Sequence, residues 1–274
     1  MTLSPLTDVL RVAREKNFFV IGFVVQGWED AKAFVDAASE TNSNIILQAG
    51  PAFRKNMHLE AIARMFETLA KGTTVKVVAH LDHGNDFETC KRALDAGFTS
   101  VMFDGSRLPF LDNINETTKV CDIAKRYGAS VEAELGFVGY ENKDSNKFTC
   151  PEEVGIMTEQ VPIDALAISI GNTHLQSSHL AKIDYKLLAE IRAASNISLV
   201  IHGGSGVCPD DRIKMASKYG VVKFNIGTEF RQLFGQSLRA FFAEDKVSFD
   251  RFEIMKSVQE NMKNRAVSLL KACH

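Results

Sequence analysis

The chain has 274 residues, 45% hydrophobic and 24% charged, an ordinary globular composition at a length that suits one large domain or two small ones. Thirty-two Lys and Arg stand against 34 Asp and Glu, for a formal net charge of −2, which argues against a protein dominated by nucleic acid or an anionic membrane surface. The five cysteines (Cys90, Cys121, Cys150, Cys208 and Cys273) are odd in number and lack C-x-x-C spacing, which argues against a disulfide framework or a thiolate zinc site and for a reducing cytoplasm.

Met1 to Asn17 shows no apolar core of signal-peptide length and no small-residue cleavage site. The longest apolar stretch, Phe18–Val25, is the first predicted strand and is far too short to span a bilayer. Further strands are predicted at Asn44–Gly50, Val75–Asp82, Ser100–Asp104, Ser130–Gly136, Ala165–Gly171, Ser198–Gly203 and Val221–Ile226. Each is short, apolar and rich in β-branched residues, as expected of parallel strands buried on both faces. Helical spacing fills the gaps. Asp86–Ala96 gathers Phe87, Cys90, Ala93 and Leu94 on one face. Asn113–Tyr127 does so with Ile114, Thr117, Val120, Cys121 and Ala124, and Tyr185–Ala194 with Leu187, Leu188 and Ile191. Gly97, Gly128 and Gly220 stand where such helices should end. Eight strands alternating with helices predict one domain over residues 1–274, a (β/α)8 TIM barrel with a C-terminal helical extension. The alternative, an open doubly wound sheet, would carry a Gly-rich phosphate loop where this chain has Val25-Gln26-Gly27-Trp28.

Polar residues collect at the predicted strand ends. Strand three ends in His80-Leu81-Asp82-His83, strand four in Asp104, and strand five carries Glu132 and Glu134. Strand six runs into Gly171-Asn172-Thr173-His174, strand seven into His202-Gly203-Gly204-Ser205-Gly206, and strand eight into Asn225-Ile226-Gly227-Thr228. In a barrel these converge on the C-terminal rim, where barrel enzymes keep their chemistry. His83, His174 and His202 on three separate strands suit a zinc-like ion with one open position; singly, each would read as a hydrogen-bonded rim or core histidine. His80 alternates with Asp82, so both can point inward, His80 for packing or support. His58, His179 and His274 read as surface residues. Asp82 can orient a ligand or serve as general acid/base. Glu134 can ligate metal or hold a ligand in position; the blander reading has one of Glu132 and Glu134 facing a helix and paired with Lys or Arg. Gly203 to Gly206 and the helix start at Asn225–Thr228 present backbone N–H groups suited to phosphate.

Together, His80-Leu81-Asp82-His83-Gly84, Phe103-Asp104-Gly105-Ser106, Val131-Glu132-Ala133-Glu134-Leu135-Gly136, Ile170-Gly171-Asn172-Thr173-His174, His202-Gly203-Gly204-Ser205-Gly206 and Asn225-Ile226-Gly227-Thr228-Glu229 resemble the signatures of class II, zinc-dependent ketose-bisphosphate aldolases. The resemblance runs in order from about Phe18 to the C-terminal helix. It implies one zinc on His83, His174 and His202, with Glu134 as a metal-site carboxylate and Asp104 supporting the site. Asp82 would be the acid/base for the hydroxyl next to the cleaved bond. Gly203, Gly204, Ser205, Asn225, Gly227 and Thr228 would hold the phosphate of dihydroxyacetone phosphate. The expected partners are a small-molecule sugar phosphate and further copies of the chain, as a homodimer or homotetramer. A monovalent cation beside the zinc is also compatible with the family.

The chain departs from the family pattern on the aldehyde side. The usual Phe-Asn-x-x-Asn reads Phe23-Val24-Val25-Gln26-Gly27, the serine after strand two is Gly50, and Leu175 follows the second zinc histidine. The acidic loop after strand five reads Gly139-Tyr140-Glu141-Asn142, so its proton-handling acid is Glu141 or is missing. The family's Asp-Pro-Arg aligns without gaps on Asp250-Arg251-Phe252, which puts Phe252 where an arginine would grip the aldehyde-half phosphate and leaves Arg251 as the neighbouring cation. The expectation is retro-aldol cleavage of a ketose 1-phosphate whose aldehyde half is not that of a standard hexose bisphosphate. The alternatives are an ordinary fructose- or tagatose-bisphosphate aldolase in which Arg251 or another basic residue substitutes, and a non-catalytic sugar-phosphate-binding subunit.

Overall fold

A computed structural model describes residues 3–139, 146–175, 181–244 and 248–273. In chain order the elements are α1 (Leu6–Glu15), β1 (Val20–Val24), α2 (Trp28–Thr41), β2 (Ile45–Ala49), α3 (Pro51–Asn56), α4 (Leu59–Lys71), β3 (Val77–Gly84), α5 (Phe87–Ala96), β4 (Ser100–Phe103), α6 (Phe110–Tyr127), β5 (Ser130–Leu135), α7 (Pro151–Gln160), β6 (Ala165–Ile168), α8 (Tyr185–Ala194), β7 (Ser198–Ile201), α9 (Pro209–Tyr219), β8 (Val221–Ile226), α10 (Thr228–Glu244) and α11 (Arg251–Lys271). All neighbouring strands pair in parallel, and β8 returns to β1 to close the barrel. The fold is a single-domain (β/α)8 TIM barrel. The strands are shorter than their apolar runs because residues such as Phe18 and Phe19 pack before pairing begins.

The interior divides by height. At the N-terminal end, Leu6, Val9, Leu10 and Ala13 of α1 plug the barrel against Val20, Ile46, Val78, Met102 and Val200. α1 can do this because these four positions form one apolar helical stripe. Above this layer the inward positions become polar: Gln48, His80, Glu132 and Lys223 are fully buried. Gly22 makes room for them, since a Cβ there would lie 2.5 Å from Gln48 Oε1 and 2.9 Å from Asn225 Oδ1. Gly97, Gly128 and Gly220 close α5, α6 and α9 in left-handed conformations, as the helix-stop reading requires. α11 packs along α2 and α10, outside the barrel. Among the described residues, no helix is long and apolar enough to cross a membrane.

Candidate active site

The C-terminal mouth opens into a cavity of about 500 Å³. Asp82, His83, His174, Gly203, Ser205, Asn225, Gly227 and Thr228 line it, together with Val24, Gly50, Lys55, Leu175 and Arg231. Strand ends from β1, β2, β3, β7 and β8 and the loop after β6 thus converge on one space.

Three imidazoles meet at its floor. His83, His174 and His202 each offer a ring nitrogen within 4.8 Å of the others. His83 Nδ1 lies 2.7 Å from Asp104 Oδ2, and Ser106 Oγ donates to Asp104 Oδ1 at 2.6 Å. That turns His83 Nε2 inward, 2.9 Å from His202 Nδ1. His202 Nε2 lies 3.0 Å from Glu132 Oε1, while the other Glu132 oxygen accepts from Lys223 Nζ at 2.7 Å. Lys223 in turn sits 3.4 Å from His80 Nε2, whose Nδ1 meets Ser100 Oγ at 2.8 Å. A carboxylate therefore backs each of His83 and His202, the arrangement that fixes a metal-binding tautomer. His174 is carried by a loop whose approach depends on Gly203 (φ +64°), since a Cβ there would meet Thr173 O at 2.2 Å. Asn172 ties that loop to β7 by donating to the His202 carbonyl at 2.9 Å.

The electrostatics call for a cation. Burial pushes His202 and His174 well below their ordinary pKa. Burial opposes charge on His83 too, but Asp82, Asp104 and Glu134 outweigh it and raise His83 to about 10. The His83 proton thus stands where an acidic surround asks for positive charge. Burial, with Asp104 nearby, raises Glu134 to about 8. Glu134 Oε1 accepts from the Val138 amide at 3.3 Å, and among the described residues Oε2 has no hydrogen-bond partner. Converging nitrogens, an orphaned carboxylate oxygen and an acidic shell fit a divalent ion.

Asp82 Oδ1 accepts from Gln48 Nε2 at 3.2 Å and Asn225 Nδ2 at 3.4 Å. Opposite, Ser205 Oγ accepts from the Gly227 and Glu229 amides at 3.3 and 3.4 Å, so the turn at Gly204–Gly206 and the start of α10 meet. Gly204 is buried and does not itself line the cavity.

Three expectations are corrected by the geometry. Glu132 and Glu134 both face the barrel interior, because strand alternation puts residues two apart on one face; neither pairs toward a helix. Phe252 lines no part of the cavity and is 85% exposed. Arg251 does not line it either, but lines an adjoining cavity that shares Val24, Gly227 and Arg231 with it. Asp250 caps α11 by accepting from Phe252 N, which places Arg251 in the first turn, 80% exposed and 3.5 Å from Glu29. The cavity's cations are instead Arg231, on the first turn of α10, and Lys55, on α3. His58 is exposed, as expected. Glu141, His179 and His274 lie outside the described residues. Gln48 and Lys223 are site residues that sequence reasoning missed, although a lysine inside an apolar strand is a visible signal.

The profile of the family described as "Fructose-bisphosphate aldolase class-II" matches residues 4–274. The chain belongs to the class II fructose-bisphosphate aldolase family. It is 34% identical over 278 residues to a fructose-bisphosphate aldolase of Staphylococcus aureus, covering 99% of this chain and 97% of that protein. It is 32% identical over 278 residues to a probable fructose-bisphosphate aldolase of Bacillus subtilis, with the same coverage. The crystal structure of the YdjI aldolase from Escherichia coli K12 superposes with a TM-score of 0.87 at 29% identity, covering 99% and 97% of the two chains. The protein is accordingly an enzyme, a carbon–carbon lyase of the class II aldolase type, of a family that acts on sugar phosphates.

Proposed function

We propose that the protein catalyses zinc-dependent retro-aldol cleavage of a ketose 1-phosphate to dihydroxyacetone phosphate and an aldehyde. The observation that carries this reading is the convergence of His83, His174 and His202 beside Asp82 in one cavity. These three histidines would hold the zinc, with Asp104 and Glu132 fixing His83 and His202. When bound, zinc acts as a Lewis acid that stabilises negative charge developing on the ketose carbonyl oxygen. Asp82, held by Gln48 and Asn225, takes the proton of the hydroxyl next to the breaking bond. The C–C electron pair moves toward the carbonyl, the aldehyde departs, and the remaining ene-diol carbon regains a proton. Glu141 is the residue proposed to deliver it. Gly203, Ser205, Asn225, Gly227 and Thr228 present donors to the ketone-half phosphate at the start of α10.

Two readings of the aldehyde half remain. A non-standard aldehyde is supported by Val24, Gly50 and Leu175, which give that wall few polar groups. A standard hexose bisphosphate is supported by Arg231 and Lys55, which can meet a second phosphate there. The test compares kcat/KM for fructose 1,6-bisphosphate with that for ketose 1-phosphates bearing uncharged tails. The first reading expects the uncharged tails to win by at least about tenfold, a 1.4 kcal/mol preference. Superiority of the bisphosphate establishes the second. Full turnover after exhaustive chelation would overturn the zinc mechanism itself.

A further inference from the structure

Asp82 and His83 are consecutive residues of β3, and consecutive strand residues normally point to opposite faces. Both nevertheless line the same cavity. Two backbone features break the alternation. Pairing between β3 and β4 runs Leu81 with Val101, then Gly84 with Phe103, so β3 carries one extra residue. That is a β-bulge, which re-aims side chains and leaves backbone groups outside the ladder. His83 also takes a left-handed φ of 53°, a costly conformation that persists only where its surroundings enforce it.

The carbonyls released by the bulge are taken by one side chain. Arg54, on α3, donates from Nη1 to Asp82 O at 2.5 Å and to Ala49 O at 2.7 Å, and from Nη2 to His83 O at 2.9 Å. One planar guanidinium thus spans the ends of β2 and β3. We propose that Arg54 is a positioning residue that holds the β3 bulge in the shape that aims both Asp82 and His83 into the active cavity. The assignment rests on the roles of Asp82 and His83 in the proposed function. A rigid fork is suited to this task. A lysine ammonium is a point charge and cannot reach three carbonyls with fixed geometry. Without the guanidinium, carbonyls at the head of the bulge lose their partners, and the strained His83 conformation loses the contact that opposes its relaxation.

The test uses Arg54→Met and Arg54→Lys in the full chain. Zinc affinity and the visible spectrum of the cobalt-loaded protein report His83. kcat against KM reports Asp82. Exchange of the Asp104 amide, which donates to Gly84 O at 2.8 Å, reports the bulge without metal or substrate. Arg54→Met is expected to exchange that amide at least about tenfold faster and to alter the cobalt spectrum. It should weaken zinc about 10- to 100-fold, as loss of a ligand-orienting contact does. Its kcat should fall about 100-fold or more, the usual worth of a positioned acid/base, with KM nearly unchanged. Added guanidinium ion should restore part of kcat in Arg54→Met and none in Asp82→Ala. Arg54→Lys should fall between Arg54→Met and wild type. An Arg54→Met protein with wild-type exchange, spectrum and kcat overturns the proposal. So does a loss that appears in thermal stability alone, or a failure of both variants to fold. A wild-type chain that binds neither zinc nor cobalt would instead overturn the proposed function, while the exchange measurement would still judge Arg54.

Discussion

The two walls of the active cavity are built to different standards of rigidity. On the side of β3, β5 and β7, the histidines and their supports are fixed by other side chains: Asp104 on His83, Glu132 on His202, Lys223 on Glu132. Glu132, Lys223 and His202 are completely buried, and this network has no solvent with which to exchange partners. Across the cavity, on the side of β1, α3 and the start of α10, Arg231 and Lys55 are exposed cations on helices, set beside Val24, Gly50 and Leu175. The first wall can hold an ion to a fixed geometry, which metal chemistry demands. The second, on the proposed function, faces the aldehyde half with exposed cations. On the proposed function, the ion falls to buried side chains and recognition of the aldehyde half to exposed ones.

The sharpest way to break this contrast is to remove a ligand from the rigid wall. His202→Ala should lose zinc and activity together. Lewis-acid stabilisation of several kcal/mol corresponds to a loss of about a thousandfold or more in kcat. Metal content and single-turnover cleavage check it. Zinc retained at wild-type affinity would show that the three histidines are not the site. Asp82→Ala comes next. It should keep zinc and lose about a hundredfold or more in kcat, because in the proposed mechanism Asp82 transfers a proton while the histidines hold the ion. Equal loss of zinc in that variant would move Asp82 into the metal's own support.

Much of the rigid wall was legible in the sequence. Parallel strands covered on both faces read as apolar runs, so a histidine or carboxylate ending such a run stands out, as at His83, Asp104 and His202. What escaped was the layer below. Glu132 and Lys223 sit within strands, and only the barrel's closure, which brings β5 and β8 across the interior to meet, shows that they pair. Arg54 escaped because its partners are backbone carbonyls, two of them about thirty residues away, and backbone acceptors leave no mark on composition. The second wall was misread for a different reason. A gap-free alignment set Phe252 and Arg251 in the aldehyde pocket, but the start of α11 is fixed by the Asp250 cap and by packing on α2 and α10. Arg231, one turn inside α10, reaches the cavity instead.

That correction makes the third prediction a direct contest between two arginines. A charge-assisted contact to a phosphate contributes about 1.5–3 kcal/mol, about a tenfold to hundredfold effect. Arg231→Ala should therefore lower kcat/KM for fructose 1,6-bisphosphate by about that factor, and Arg251→Ala by less than about threefold. For ketose 1-phosphates with uncharged tails, both variants should match the wild type. A selective loss in Arg251→Ala would return the phosphate position to α11 and end the contrast as drawn.

The smallest expected effect concerns stability and compares a buried carboxylate in the rigid wall with one on α2, next to the second wall. Glu134 is raised to about 8 by burial, with Asp104 nearby, and a bound divalent ion would offset that penalty. Asp30, in the first turn of α2, is raised to about 6, chiefly by burial and with Glu29 adding to it. Its compensation is a hydrogen bond from the Gln26 amide at 2.9 Å and the field of Arg231, and these do not restore its ordinary value. A folded-state pKa above the unfolded one means that the folded chain binds the proton more tightly. Folding is then favoured below pH 3.8 and loses this contribution as pH rises through about 6. Asp30→Asn keeps an acceptor for the Gln26 amide and removes the charge. It should raise Tm by a few degrees at about pH 8, from a gain of about 1–3 kcal/mol, with the gain shrinking as pH falls toward 4. Thermal unfolding of both proteins across that range checks the sign. A variant less stable than wild type at about pH 8 would show that the Asp30 charge is already well compensated by the Gln26 amide and Arg231.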